Sequence, residues 1–221
     1  MQTLTASDFR AAAAPQPLVA DEIHLWWLPD WGGPNRAAAE STAVRDLLGA
    51  YLGRALATTQ IVRGARGKPR LVDGALEFNL AHSGGDLLLG LSRDTPLGVD
   101  LELPGRHRPV EQLAARYFDP REAQALAAMP DDAARQAAFL RLWTLKEAVL
   151  KVDGGGIASG LERAAFALDA AGRPSAPLAI ALPLVADDWC VRRLEWPDGA
   201  VGALAWRGAQ RTVLAWRKTE A

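Results

Sequence analysis

Apolar positions recur along this chain at spacings that change from segment to segment, and the changes mark its elements. Residues 22–28 (EIHLWWL) read as a short strand, and the Gly and Pro content of 30–35 (DWGGPN) predicts a loop after it. Over 37–57, Val44, Leu47, Leu48, Tyr51, Leu52 and Leu56 fall at helical spacing, with Arg45 and Arg54 on other faces. The stretch 63–69 (RGARGKP) reads as a loop in which Pro69 holds Lys68 extended. Strands are predicted over 77–81 and 86–92, joined by His82-Ser83-Gly84-Gly85, a turn short enough for a hairpin. A third strand starts at Leu97 after the Asp94-Thr95-Pro96 turn and runs to Glu102. Beyond the 104–109 break, 110–116 and 121–128 look helical, and 133–152 forms a long helix ended by Gly154-Gly155-Gly156.

The last third changes character. Short runs at 165–169, 189–196, 200–207 and 212–217, with turn signals at Ala171-Gly172 and Pro197-Asp198-Gly199, predict strands. The opening to about Pro17 has no clear period, so residues 1–20 are expected to be poorly structured. The order of helices and strands is a loose twofold repetition. It predicts an α+β fold of two pseudo-symmetric halves, 21–103 and 104–221, each an antiparallel sheet with helices.

Composition narrows the class. With 49% hydrophobic and 23% charged residues in 221, the chain can bury a core. No apolar run approaches the roughly 20 residues of a membrane span, and the alanines at 11–14 follow Asp8 and Arg10 without a basic leader, so no membrane role is expected. A single cysteine, Cys190, excludes an internal disulfide and fits the cytoplasm. A net charge of −1 argues against nucleic acid as a partner. That average conceals a basic stretch: between 36 and 70, Arg36, Arg45, Arg54, Arg63, Arg66, Lys68 and Arg70 stand against Glu40 and Asp46. On charge alone this is either a local anion site or a solvated helix and loop.

Three groups of residues carry candidate chemistry. Asp100 and Glu102 lie two apart in a predicted strand, which puts both carboxylates on one face. They are either a hard-oxygen pair suited to Mg²⁺ or two solvated acids on an alternating strand. Glu147 and Lys151, at i and i+4 on a largely apolar helix, could be an ordinary surface pair. Yet Lys68, Lys146 and Lys151 are three of only four lysines among 25 basic residues, and a compact ammonium suits a phosphate oxygen. His82, before Ser83-Gly84-Gly85, either caps a turn or donates to a phosphate approaching a glycine-rich backbone. No G-x-S-x-G elbow accompanies the three histidines, which disfavours a serine hydrolase.

Taken in order, Gly67-Lys68-Pro69, FNLAHS at 78–83, GVDLE at 98–102 and WTLKEAVLK at 143–151 resemble the signature of the Sfp-type 4′-phosphopantetheinyl transferases. Leu47-Leu48-Gly49 with Arg45 ahead of it, and Gly155-Gly156-Ile157 followed by Phe166, are similar to flanking parts of that family. The resemblance implies a monomer with coenzyme A in a cleft between the halves. It also implies transfer of phosphopantetheine to a serine of an apo acyl or peptidyl carrier protein, with release of adenosine 3′,5′-bisphosphate. Carried over, Asp100, Glu102 and Glu147 would hold Mg²⁺; His82, Ser83, Lys151 and Lys146 would meet phosphate oxygens. Lys68 and Pro69 would lie against the adenosine, and Arg45 would reach the 3′-phosphate. Glu147 is the expected general base for the carrier serine. The chain departs from the family pattern at Ala81, where a serine is common, and at 28–33, which lacks a basic cluster. A silent coenzyme A or carrier-binding module and a Mg²⁺-dependent phosphohydrolase are the rival readings.

Overall fold

The computed structural model describes residues 1–31, 41–155, 160–180 and 189–219. In chain order the strands are β1 (Gln2–Thr5), β2 (Phe9–Ala12), β3 (Glu22–Leu28), β4 (Ile61–Arg63), β5 (Pro69–Leu71), β6 (Glu77–Ser83), β7 (Asp86–Ser92) and β8 (Leu97–Glu102). They continue with β9 (Ala164–Leu168), β10 (Pro174–Ile180), β11 (Trp189–Glu195), β12 (Val201–Arg207) and β13 (Thr212–Lys218). Helix α1 (Thr42–Leu52) lies between β3 and β4, whereas α2 (Val110–Tyr117), α3 (Pro120–Ala127) and α4 (Asp132–Val152) lie between β8 and β9.

Two sheets form the centre, in the orders β2-β13-β3-β7-β6 and β1-β11-β12-β8. Period-two alternation gives each strand an inner and an outer face. Ile23 and Leu25 of β3, Leu97, Val99 and Leu101 of β8, and Leu204 and Trp206 of β12 share one buried cluster between the sheets. On the outer side of the first sheet, Trp26, Leu28, Leu87, Leu89 and Leu91 pack with Val44, Leu47 and Leu48 of α1. On the outer side of the second, Ala203 and Ala205 pack with Phe139, Leu142, Leu145 and Val149 of α4. The layers are therefore helix, sheet, sheet, helix, an α+β arrangement with each apolar face covered.

The two halves exchange their last strands. After the β6–β7 hairpin, β8 leaves the first sheet and pairs antiparallel with β12 of the second. After the β11–β12 hairpin, β13 leaves the second sheet and pairs parallel with β3 in the middle of the first. The boundary expected between 103 and 104 is thus not a boundary between sheets, and both sheets carry parallel pairings as well as antiparallel ones.

The expectation of a poorly structured residue 1–20 segment is corrected at two places. β1 runs parallel to β11, and β2 runs parallel to β13. Each is only four residues long and is held by a partner near the opposite end of the chain, so no local pattern reveals it. β10 was also missed, because Pro174 and Pro177 interrupt its run; its ladder with β9 shifts register beside both. Helix α1 is shorter than the predicted 37–57. Ser41 accepts a hydrogen bond from the Val44 amide (3.3 Å), and Gly53, at φ 65°, ends the helix in the left-handed region. Residues 32–40, including Arg36, and 156–159, including Gly156 and Ile157, lie outside the described residues.

Candidate functional site

The outer strands of the two sheets, β6 and β8, run beside each other where the halves meet. No backbone ladder joins them among the described residues, and side chains serve instead. Asn79 Oδ1 accepts from the Val99 amide (2.9 Å), and Ser83 Oγ accepts from the Leu103 amide (3.0 Å). Each bond satisfies an amide that an open sheet edge would leave exposed. Ser83, expected at a phosphate, thus has one lone pair committed to fixing the end of β8. His82 is exposed beside it and lies near Asp100.

β8 approaches α4 closely because residue 98 is glycine. A Cβ there would stand 2.0 Å from the Ala148 carbonyl oxygen and 2.9 Å from the Val152 amide nitrogen. With that contact made, Asp100 and Glu102 project on the α4 side of the strand, as their spacing predicts. Lys151 Nζ donates to Asp100 Oδ1 (2.7 Å) and to the Val99 carbonyl (3.2 Å). Glu102 is held by Arg108 Nη2 (2.8 Å). Glu147 joins the same acidic group, and burial, followed by the Asp100 charge, pushes its carboxyl up to about 7. Burial also raises Asp100 against the pull of Lys151, and raises Glu102 against that of Arg108. Asp100 Oδ2 and Glu147 Oε1 are buried with no hydrogen-bond partner among the described residues. Buried carboxylate oxygens without donors are costly unless a cation meets them, and hard oxygens suit Mg²⁺. The donor chemistry therefore fits the expected ion. As they stand, however, no three His, Cys, Asp or Glu side chains among the described residues are placed to share one metal.

Lys146 departs from its expected role. Its ammonium is fully buried, 2.5 Å from Glu122 Oε2, and donates to the carbonyls of Ala164 (2.6 Å) and Leu161 (3.1 Å). Three acceptors use its three protons, so nothing remains for a phosphate. One residue along a helix turns a side chain about 100° away, which carries Lys146 into the core while Glu147 faces β8.

Lys68 and Pro69 line a hollow of about 410 Å³ together with Arg66, Arg70, Phe78 and Pro96. Lys68 Nζ donates to the carbonyls of Leu97 and Val152, both at 2.9 Å, which ties the loop to β8 and to the end of α4. Gly154, at φ 73°, lets the chain turn away beside the Lys68 stem. Three of the seven basic residues of the 36–70 stretch thus gather in one hollow. Arg45 is not among them: it borders a separate depression on α1, where its Nη2 meets Thr42 Oγ1 (3.2 Å).

Sequence reasoning missed Arg108, Gln136 and Glu122. Arg108 sits in a Pro-bounded break with no period to give it a face. Glu122 carries a local signal, since Asp119 and Glu122 form a capping box, but its pairing with Lys146 spans two helices.

A family model described as the 4′-phosphopantetheinyl transferase superfamily matches residues 96–202, from the approach to β8 to the start of β12. Among curated proteins, the chain is 33% identical over 224 residues to the 4′-phosphopantetheinyl transferase HetI of Nostoc sp., covering 86% of this chain and 92% of the relative. It is 36% identical over 143 residues to the 4′-phosphopantetheinyl transferase psf-1 of Bacillus pumilus, covering 58% and 59%. It is 40% identical over 107 residues to the 4′-phosphopantetheinyl transferase AcpT of Salmonella typhimurium, covering 47% and 55%.

Proposed function

The chain belongs to the 4′-phosphopantetheinyl transferase superfamily, and from that premise we propose that it moves the phosphopantetheine arm of coenzyme A to a serine of an apo acyl or peptidyl carrier protein. The observation that carries this reading is the group formed by Asp100, Glu102, Glu147 and Lys151 across β8 and α4, inside the matched region.

Coenzyme A would lie along the junction of the two halves. Its adenosine end fits the hollow of Arg66, Lys68, Pro69 and Arg70, where guanidinium and ammonium groups favour a phosphate. The diphosphate would face His82 and Lys151. Asp100, Glu102 and Glu147 would hold Mg²⁺, which when bound neutralises diphosphate charge and stabilises the charge on the departing oxygen.

The chain's own residues supply orientation and a proton acceptor. Lys151, anchored by the Val99 carbonyl, presents a fixed positive charge to the phosphates. Glu147 takes the proton of the carrier serine as its oxygen bonds to the phosphorus bearing the pantetheine arm. The bond from that phosphorus to the bridging oxygen breaks, and adenosine 3′,5′-bisphosphate departs with the electron pair. Lys146 acts on this reading only as part of the frame behind Glu147. Among the described residues no helix is long and apolar enough to cross a membrane. We place the protein in the cytoplasm, acting as a monomer.

The test is the mass of a purified apo carrier protein after incubation with the protein, coenzyme A and Mg²⁺, with a chelator control. The expected result is one phosphopantetheine added per carrier and none with chelator. Nucleotide release from coenzyme A without any carrier would indicate a phosphohydrolase instead.

A further inference from the structure

Resting on the metal reading above, we propose that Arg108 is a positioning residue, a latch that keeps Glu102 in an ion pair until a divalent cation enters.

The acidic group holds two unpartnered oxygens, on Asp100 and Glu147, and as it stands no three acids among the described residues are placed to share one metal. The third expected ligand, Glu102, has its Oε2 committed to Arg108 Nη2 at 2.8 Å. The two side chains are 16% and 22% exposed, dry enough for the pair to hold and wet enough for it to exchange.

The backbone at Arg108 is fixed independently of its side chain. Gln136 of α4 accepts from the Arg108 amide (3.1 Å) and donates to the Arg108 carbonyl (2.7 Å). The guanidinium can therefore leave Glu102 by side-chain rotation while the loop stays docked on α4. It has room to move: Arg108 borders a hollow of about 200 Å³, where Glu111 and Asp132 are already paired with Arg135 and His107.

The experiment is titration with Mn²⁺, followed by the spin-resonance signal of the free ion, on wild type, Arg108→Met, Glu102→Gln and the double variant. Arg108→Gln serves as a second substitution, and circular dichroism checks that each variant is folded. Arg108→Met is expected to bind Mn²⁺ about three- to tenfold more tightly than wild type. In the Glu102→Gln background the same change is expected to alter affinity less than about twofold, because contacting residues couple whereas independent ones add. Unchanged or weaker Mn²⁺ binding in both Arg108 variants overturns the latch. So does a tightening of equal size in the Glu102→Gln background, which would be a general charge effect. A wild-type protein that takes no Mn²⁺, with or without coenzyme A, overturns the metal reading and the latch together, an outcome distinct from the other two.

Discussion

Two lysines on α4, five residues apart, form ion pairs of opposite kinds. Lys146 and Glu122 have side chains with 0% exposure, and every proton and acceptor that the pair presents is met inside the protein. Lys151 and Asp100 are 25% and 10% exposed, and the carboxylate keeps one buried oxygen without a partner. The first pair is complete and belongs to the frame, joining α4 to α3 and to the start of β9. The second is incomplete and stands where the two halves meet. Residue type and helix are the same for both lysines but the faces differ, and satisfaction of polar groups separates scaffold from chemistry here.

Breaking the closed pair should have the largest effect on stability. Lys146→Ala leaves Glu122 buried and unpaired, and a loss of roughly 3–5 kcal/mol is expected, read from chemical denaturation. A change below about 1 kcal/mol would show that the pair is not a structural unit. Next comes the contact that places the open pair. Gly98→Ala drives a Cβ into the Ala148 carbonyl, and overpacking of this kind costs about 1–3 kcal/mol. It should also weaken Mn²⁺ and coenzyme A binding, since β8 and α4 must separate; intact binding in that variant would place the site elsewhere.

The open pair should respond differently. Asp100→Asn gives up an ion pair to a buried carboxylate but relieves repulsion within the acidic group and removes a buried charge, so the effects oppose and the stability change should be smaller than for Lys146→Ala. Transfer activity should nevertheless disappear. The smallest effect expected is a pH dependence of the metal-free protein. Glu147 has its pKa raised in the folded state from 4.5 to about 7, so the fold binds its proton more tightly than the unfolded chain does. The resulting stabilisation is full below about pH 4.5 and is lost as pH rises through about 7. With chelator present, Glu147→Gln should melt above wild type at about pH 8, and the gap should close by about pH 5. Parallel melting curves across that range would show the Glu147 carboxyl to be unperturbed.

How much was legible in the sequence follows from the range of the interactions. β7 and β8 were read to the residue and α4 to within one, because turn signals and caps lie next to them in the chain. Asp100, Glu102, Glu147 and Lys151 were legible because strand and helix periods place them and the ordered motifs link them. β1 and β2 were not legible, since partners 190 and 206 residues away hold them. The exchange of β8 and β13 between sheets leaves no local trace either. Lys146 was assigned to phosphate because its motif sits beside Glu147; only the packing of α3 against α4 shows where its ammonium ends. Arg108 reaches the acidic group from a loop without a period, and its role depends on Gln136, 28 residues away.

The most direct test of the contrast between the complete and incomplete pairs is one paired measurement on wild type and Asp100→Asn: melting temperature, and the mass of an apo carrier protein after reaction with coenzyme A and Mg²⁺. The account predicts a smaller shift in melting than Lys146→Ala gives, with one phosphopantetheine added by wild type and none by the variant. Carrier modification by Asp100→Asn at the wild-type rate would contradict it.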